Sequence, residues 1–183
     1  MAGKWHLTVD GAWKPKDSTP NGSYPTQRGF DGYYGSLSGA GNYYSPKAVY
    51  RNEEKVTKFS KGYYYTDAIN EHSVEFILNH EGTSPFFLYV AHYAPHRPLQ
   101  APEERIEACK ERYRVGYDVL RQERYKRLKE MGLVGSKSEL PIHRKEYKKQ
   151  ARPSWNSLDS EMKEKWIEEM ATYAAMIEIM DDG

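Results

Sequence analysis

Apolar residues form one continuous run in the first half of the chain. Residues 85–91 read Pro-Phe-Phe-Leu-Tyr-Val-Ala, which is the length of a strand. Such a run is typical of a strand buried on both faces of a parallel sheet. Upstream, Thr66 or Asp67 can begin a helix that ends near His80. Its predicted apolar face consists of Ile69, Val74, Ile77 and Leu78. A helix followed by a buried strand is half of an α/β unit.

Three further helices are predicted after residue 101. Pro102, followed by two glutamates, is a favourable start for a helix over 102–113, and a second charged helix covers 117–131. Residues 133–156 are polar and predicted to be irregular. The last helix has apolar residues at steps of three and four, namely Met162, Trp166, Met170, Tyr173, Ile177 and Met180. This face can pack on the protein's own body or, less favoured, form a coiled coil with a partner helix.

Residues 1–62 are rich in glycine, proline, serine, asparagine and tyrosine, which predicts ordered loops with short strands. A short hairpin is predicted within 48–58, around the polar residues 51–54. Disordered linkers are usually poor in aromatic residues. The tyrosines of this segment therefore favour ordered structure.

Composition excludes several classes of function. The 183 residues include 27 basic and 26 acidic side chains, which argues against a strongly basic nucleic-acid surface. No apolar run approaches the ~20 residues that span a bilayer. No signal peptide follows Met1, and the single cysteine, Cys109, cannot form an intrachain disulfide. Only 38% of the residues are hydrophobic, but 16 tyrosines add apolar surface with polar groups attached.

Lys4 and His6 are the first candidates for chemistry. They are two residues apart in Gly3-Lys4-Trp5-His6-Leu7, so an extended segment would point both to the same side. A lysine brings a compact charge with three donors, and a histidine can donate a hydrogen bond or a proton. The pair could therefore clamp an anion. The alternative is an exposed lysine beside an ordinary histidine.

His96 is the third candidate. It follows the predicted strand in Ala94-Pro95-His96-Arg97-Pro98, and ligands of open α/β sheets bind beyond the carboxyl ends of strands. A histidine held there between two prolines could act as a general acid. The alternative is a surface-loop histidine. His92 is interpreted as a structural residue on the strand, and Cys109 as a bystander thiol on a charged helix.

Several segments, in order, resemble the type I sulfatases of the alkaline phosphatase superfamily. Gly3-Lys4-Trp5-His6 is similar to a signature of that family, and residues 24–35 to the "RGFD…YG" segment that follows it. The strand at 85–91 and the loop at 94–102 are similar to the strand and histidine loop of bacterial arylsulfatases. Shorter similarities are found at residues 65–68, 116–118, 121–124 and 173–176.

The resemblance implies an α/β fold, the alkaline-phosphatase-like sandwich, present in part as central strands with flanking helices and long ordered loops. It implies that residues 1–183 are an incomplete central part of a catalytic domain, without a second domain. Lys4, His6 and His96 would then bind the sulfate group, with His6 and His96 catalytic. Lys4 and His6 would contact the catalytic aldehyde hydrate, and His96 would protonate the leaving oxygen.

The sequence departs from the family at the cofactors. The family's nucleophile is a formylglycine made in a Cys/Ser-x-Pro/Ala-x-Arg motif, which Cys109-Lys110-Glu111-Arg112 does not fit. The family's calcium is held by an early Asp-Asp pair and a late Asp-Asn pair, neither of which is found here. We therefore expect calcium and formylglycine in the full-length parent, no metal site in these residues, and no activity from this chain alone.

The expected reaction of the parent is hydrolysis of a small aryl or carbohydrate sulfate. A phosphodiesterase or phosphonate hydrolase of the same superfamily is the alternative, since sulfate-ester and phosphate-ester hydrolysis both need an anion clamp plus a metal. From a different class, the chain could be a non-catalytic remnant. No nucleic-acid partner and no membrane span are expected, while the oligomeric state stays open. The compartment also stays open, although a periplasmic or secreted location would fit a bacterial sulfatase.

Overall fold

A computed structural model describes residues 1–8, 22–39, 41–141 and 153–183. The chain forms two compact units, Met1–Ala101 with Ala175–Gly183, and Pro102–Ala174. The described ranges contain five short strands: β1 (Ala2–Gly3), β2 (Tyr34–Ser36), β3 (Val49–Arg51), β4 (Glu54–Lys55) and β5 (Val90–Ala91). The same ranges contain four α-helices: α1 (Tyr65–Leu78), α2 (Glu103–Tyr113), α3 (Tyr117–Glu130) and α4 (Ser160–Asp182).

The five strands form one mixed sheet in the order β4-β3-β2-β1-β5. β1 is parallel to both of its neighbours, with Ala2 opposite Tyr34 of β2 and Val90 of β5. β3 and β4 make the predicted hairpin, in which Arg51 pairs with Glu54. Asn52 provides the left-handed residue of the turn at φ 54°. A mixed sheet with flanking helices confirms the predicted α/β class.

The prediction for residues 85–91 was right about direction and wrong about burial. Only Val90 and Ala91 pair as a strand, parallel to β1 as expected. The run is not covered on both faces, because Phe87 is 75% exposed and Phe86 is 47% exposed. The physical reason is that helix α1 packs on β1 and β2, and β5 lies beyond them. β5 lies at an edge of the sheet, and within the described residues β1 is its single strand neighbour.

Helix α1 forms where it was predicted but packs mainly through its first half. Ile69 is fully buried, and Tyr65 beside it is also inaccessible to solvent. The prediction was wrong for the other three residues of the apolar face, because Val74, Ile77 and Leu78 are 45%, 49% and 78% exposed. The helix contacts β1 and β2, and its buried residues all lie between Tyr65 and Ser73.

The core of the first unit is built largely from tyrosine. Its buried cluster consists of Met1, Tyr24, Tyr33, Leu37, Ala48 and Tyr50. The rings of Tyr24 and Tyr50 meet edge to face at 5.4 Å, a favourable aromatic geometry. Burial raises the pKa of the Tyr33 hydroxyl, which donates to the Gly3 carbonyl at 3.1 Å. The neutral hydroxyl thus fixes the chain at the end of β1.

The second unit has its own core around Tyr117, Trp155 and Ile167. The rings of Tyr117 and Trp155 are 5.2 Å apart. Helices α2 and α3 match the prediction, except that Pro102 caps α2 and the helix begins at Glu103. Cys109 is buried on α2. Residues 142–152 of the predicted irregular segment lie outside the described residues.

Helix α4 forms as predicted, but its buried face is shifted from the predicted one. Met162 and Tyr173 are 38% and 45% exposed. Small side chains carry much of the burial instead. The buried positions are Ile167, Ala171, Thr172, Ala174, Ala175, Met176 and Ile179. The predicted face was wrong because the spacing of large apolar residues, from which it was predicted, does not take alanine into account.

Candidate functional site

Three parallel strands of the first unit end at the same edge of the sheet. β1 ends at Gly3, β2 at Ser36 and β5 at Ala91, and all three run in one direction. The segments that follow them carry Lys4 and His6, Gly39, and His96. Carboxyl ends of parallel strands are where open α/β sheets bind ligands. The topology therefore brings the segments of all three predicted residues to one edge.

Lys4 is fixed through its backbone, while its ammonium contacts an aromatic ring. Its amide donates to the Ala91 carbonyl at 2.8 Å, which extends the pairing of β1 with β5. Its Nζ lies 5.4 Å from the centre of the Tyr93 ring, within cation–π range. Among the residues that the structure describes, no carboxylate forms an ion pair with this ammonium.

His6 is exposed and lies against the turn after β2. A Cβ on Gly39 would be only 2.2 Å from both Cε1 and Nε2 of His6, so the imidazole occupies the space that a side chain would need. The segment from Lys4 to His6 is not the regular extended strand that was expected, and the alignment of the two side chains stays a prediction. β1 ends at Gly3, and His6 has φ 55°, in the left-handed region. Such a backbone costs about 1–3 kcal/mol and is frequent at functional sites.

His96 is exposed in the loop after β5, as predicted. Its Nδ1 lies 2.6 Å from the carbonyl oxygen of Arg97. Because that oxygen can only accept, Nδ1 carries the hydrogen, and Nε2 is the nitrogen left for other partners. Pro95 and Pro98 stand on either side, both after cis peptide bonds.

Two tyrosines hold the backbone of the His96 loop. The Tyr43 hydroxyl donates to the His96 carbonyl at 2.8 Å, and the Tyr64 hydroxyl donates to the Gln100 carbonyl at 2.8 Å. The Gln100 side chain accepts from the Tyr43 amide at 3.0 Å. Burial raises the pKa of both tyrosines, so both hydroxyls remain donors. The loop thus has a fixed conformation around His96.

Tyr93 was not a sequence candidate, yet it joins two of them. Its ring centre lies 5.2 Å from that of His96, and the Lys4 ammonium approaches the same ring. The distance from the Lys4 Nζ to the centre of the His96 ring is therefore no larger than the sum of those two distances. His6 lies against Gly39 at the same sheet edge. That His6 converges on one pocket with Lys4 and His96 stays a prediction.

His92 differs from its predicted place on the strand. β5 ends at Ala91, and His92 is the first residue beyond it. Its Nδ1 is buried without a hydrogen-bond partner in the described part of the chain, and burial lowers its pKa. The imidazole is consequently favoured in its neutral form.

The described residues do not fit the calcium site that the resemblance implies. Within residues 1–8, 22–39, 41–141 and 153–183, no three side chains of the His, Cys, Asp and Glu types are grouped so as to hold a metal ion. Cys109, the thiol of the described residues, is buried on α2. No helix in these ranges is both long and apolar enough to cross a membrane.

Similar proteins were found among curated sequences. The chain is 32% identical over 196 residues to an uncharacterized sulfatase of Schizosaccharomyces pombe, covering 99% of this chain and 33% of that protein. It is 30% identical over 181 residues to an arylsulfatase of Klebsiella aerogenes, covering 99% and 38%. It is 38% identical over 117 residues to arylsulfatase J of Mus musculus, covering 58% and 18%. The chain spans about a third of the length of the first and the second.

A solved structure shares the fold. It is the crystal structure of Ps i-CgsB in complex with k-i-k-neocarrahexaose, with a TM-score of 0.53 and 23% sequence identity. That match covers 99% of this chain and 30% of the other. The sulfatase family model matches residues 1–183. With the sheet edge, the histidine loop and the sequence relatives in agreement, the chain belongs to the sulfatase family.

Proposed function

We propose that the protein containing this chain hydrolyses sulfuric esters of the arylsulfatase type, and that Lys4, His6 and His96 bind the sulfate group. The observation that carries the proposal is the edge of the sheet where these residues stand. The Lys4 ammonium and the exposed His96 imidazole there contact the same buried ring. Family membership supports sulfate as the anion.

The side chains suggest a division of labour. Lys4 would neutralise charge on the sulfuryl oxygens, an electrostatic contribution that grows where water is excluded. His96 would donate from Nε2 to the leaving oxygen, because Nδ1 is held by the Arg97 carbonyl. His6 would donate a hydrogen bond to the sulfate group. Calcium and formylglycine are implied by the family resemblance alone.

The test is steady-state kinetics on the protein expressed from its full reading frame. The substrate panel contains an activated aryl sulfate, a sulfated sugar, a phosphodiester and a phosphonate monoester. We expect sulfate esters to be hydrolysed fastest, and Lys4→Ala to cost about 10²–10³-fold in rate, as for other oxyanion donors. Lys58→Ala, which changes an exposed lysine outside the site, is the matched control.

Three outcomes of this assay contradict the proposal in whole or in part. A preference for phosphodiesters or phosphonates would assign the alternative activity. Absence of hydrolysis of every ester in the panel by the full-length protein would favour a non-catalytic remnant. Equal rates for Lys4→Ala and Lys58→Ala would remove Lys4 from the site.

The 183-residue chain by itself is proposed to be inactive. Its sequence contains no Cys/Ser-x-Pro/Ala-x-Arg segment, and Lys4, His6 and His96 are poor nucleophiles toward sulfur in this arrangement. The measurement is turnover of an activated aryl sulfate by the purified chain, with and without calcium. Calcium-dependent turnover that His96→Ala abolishes would show that the active site is complete within these residues.

A further inference from the structure

We propose that Tyr93 is the positioning residue of the site: its ring places the Lys4 ammonium and the His96 imidazole relative to each other. This inference rests on the proposed function for its kinetic consequences. Its geometric part concerns contacts of the chain itself and can be tested without any substrate.

The ring is surrounded on several sides and cannot move freely. Tyr93 is only 5% exposed, and its ring centre lies 5.2 Å from that of Tyr43 and 6.1 Å from that of Tyr65. Its hydroxyl is 3.3 Å from the Gly41 carbonyl and 3.4 Å from the Arg97 carbonyl, both long for a hydrogen bond. Packing therefore fixes the ring more than its hydroxyl does.

Two candidate side chains use this fixed ring as a support. Lys4 comes from β1 and has a long, flexible stem, and the face of an aromatic ring attracts its ammonium. The His96 imidazole lies on the same ring with an interplanar angle of 35°. The His96 amide also donates to the Tyr93 carbonyl at 3.0 Å, which closes the turn between them. One residue thus contacts both groups.

Burial also keeps the Tyr93 side chain uncharged, so that its ring can attract a cation without cancelling the cation's charge. Desolvation raises the pKa of the Tyr93 hydroxyl, so the side chain is a neutral phenol. A carboxylate in this place would form an ion pair with Lys4 and compete with an incoming anion. A neutral ring attracts the ammonium without neutralising its charge.

The decisive variant is Tyr93→Leu, compared with Tyr93→Phe in the protein expressed from its full reading frame. The first removes the ring, and the second removes only the weakly bonded hydroxyl. The direct readout is the ring-current shift of the Lys4 ε-methylene protons in protein labelled with ¹³C-lysine. We expect an upfield shift in the wild type and in Tyr93→Phe, and its loss in Tyr93→Leu.

The kinetic readout is the dependence of hydrolysis on the leaving group. Misplacing a catalytic group by about 1 Å can cost ~10²-fold. We expect Tyr93→Leu to lose about that much with poor leaving groups and less with an activated aryl sulfate. Tyr93→Phe should stay close to wild type. Tyr24→Leu, which removes a fully buried tyrosine outside the site, controls for a general loss of packing.

A trifluorinated phenylalanine in place of Tyr93 covers the case in which Tyr93→Leu does not fold. It keeps the ring's shape but weakens the attraction of its face for a cation, so sulfate affinity and leaving-group dependence should both change. The proposal is overturned if the Lys4 shift survives Tyr93→Leu, or if the fluorinated protein matches the wild type. A wild-type protein that hydrolyses no ester would instead refute the proposed function, while the Lys4 shift would still decide the role of Tyr93.

Discussion

Substitution of Gly39 by alanine tests the placement of His6 through a single added methyl group. The new Cβ would lie 2.2 Å from Cε1 and Nε2 of the imidazole, and 2.7 Å from Cδ2. Ordinary contacts between carbon atoms are about 3.5–4.0 Å, so the ring must move by roughly 1 Å or more. The backbone of Gly39 is not in the left-handed region, which means that alanine itself is tolerated there.

The expected result is a loss of activity without a large loss of stability. A displacement of about 1 Å at a group that contacts the substrate can cost ~10²-fold in kcat/KM. The assay is aryl sulfate hydrolysis by the full-length protein, together with the imidazole resonances of His6. Gly32→Ala is the matched control, because a Cβ at Gly32 meets no atom within 4 Å. If Gly39→Ala leaves both the rate and the His6 resonances unchanged, the reasoning about this contact is wrong.

Three further predictions concern single side chains. His96→Ala should slow hydrolysis of esters with poor leaving groups by about 10²–10⁴-fold and affect an activated aryl sulfate less; equal losses across the series would leave only sulfate binding. Ile69→Ala should lower the free energy of unfolding by about 2–5 kcal/mol in urea titrations, whereas Ile77→Ala, at an exposed position, should change it by less than about 0.5 kcal/mol. Burial lowers the pKa of His72 below the ordinary 6.5, so the native state binds fewer protons than the unfolded state and stability should fall as the pH drops below about 6.5. His72→Gln should flatten that slope in unfolding titrations, and an unchanged slope would contradict the assignment.

The sequence predicted elements better than it predicted which faces are covered. The limits of α1 and the hairpin after Val49 were predictable because helix starts and turn residues act locally. The exposure of Phe87 was not, since an apolar run carries no information about which strands lie beside it. The face of α4 was misplaced because Ala171 and Ala175 carry burial that hydrophobic periodicity does not weigh.

In the candidate site, too, residues recognisable from their local sequence were predicted, and residues that depend on distant contacts were not. Lys4, His6 and His96 were identifiable as residue types in a recognisable order. Tyr93 was missed because its partner Lys4 is far away in the sequence, and a tyrosine after a strand has no chemistry that draws attention. Gly39 was missed for the opposite reason: its contribution is the space it leaves for His6.

The outer edge of β5 has a consequence for handling the protein. Within the described residues no strand pairs with this edge, and the exposed rings of Phe86 and Phe87 precede it in the chain. An edge of this kind is a template on which an extended segment of another molecule can add a strand. Self-association there depends on how often two molecules meet. Refolding yield should therefore be governed by dilution, and recovery should improve as the protein concentration is lowered.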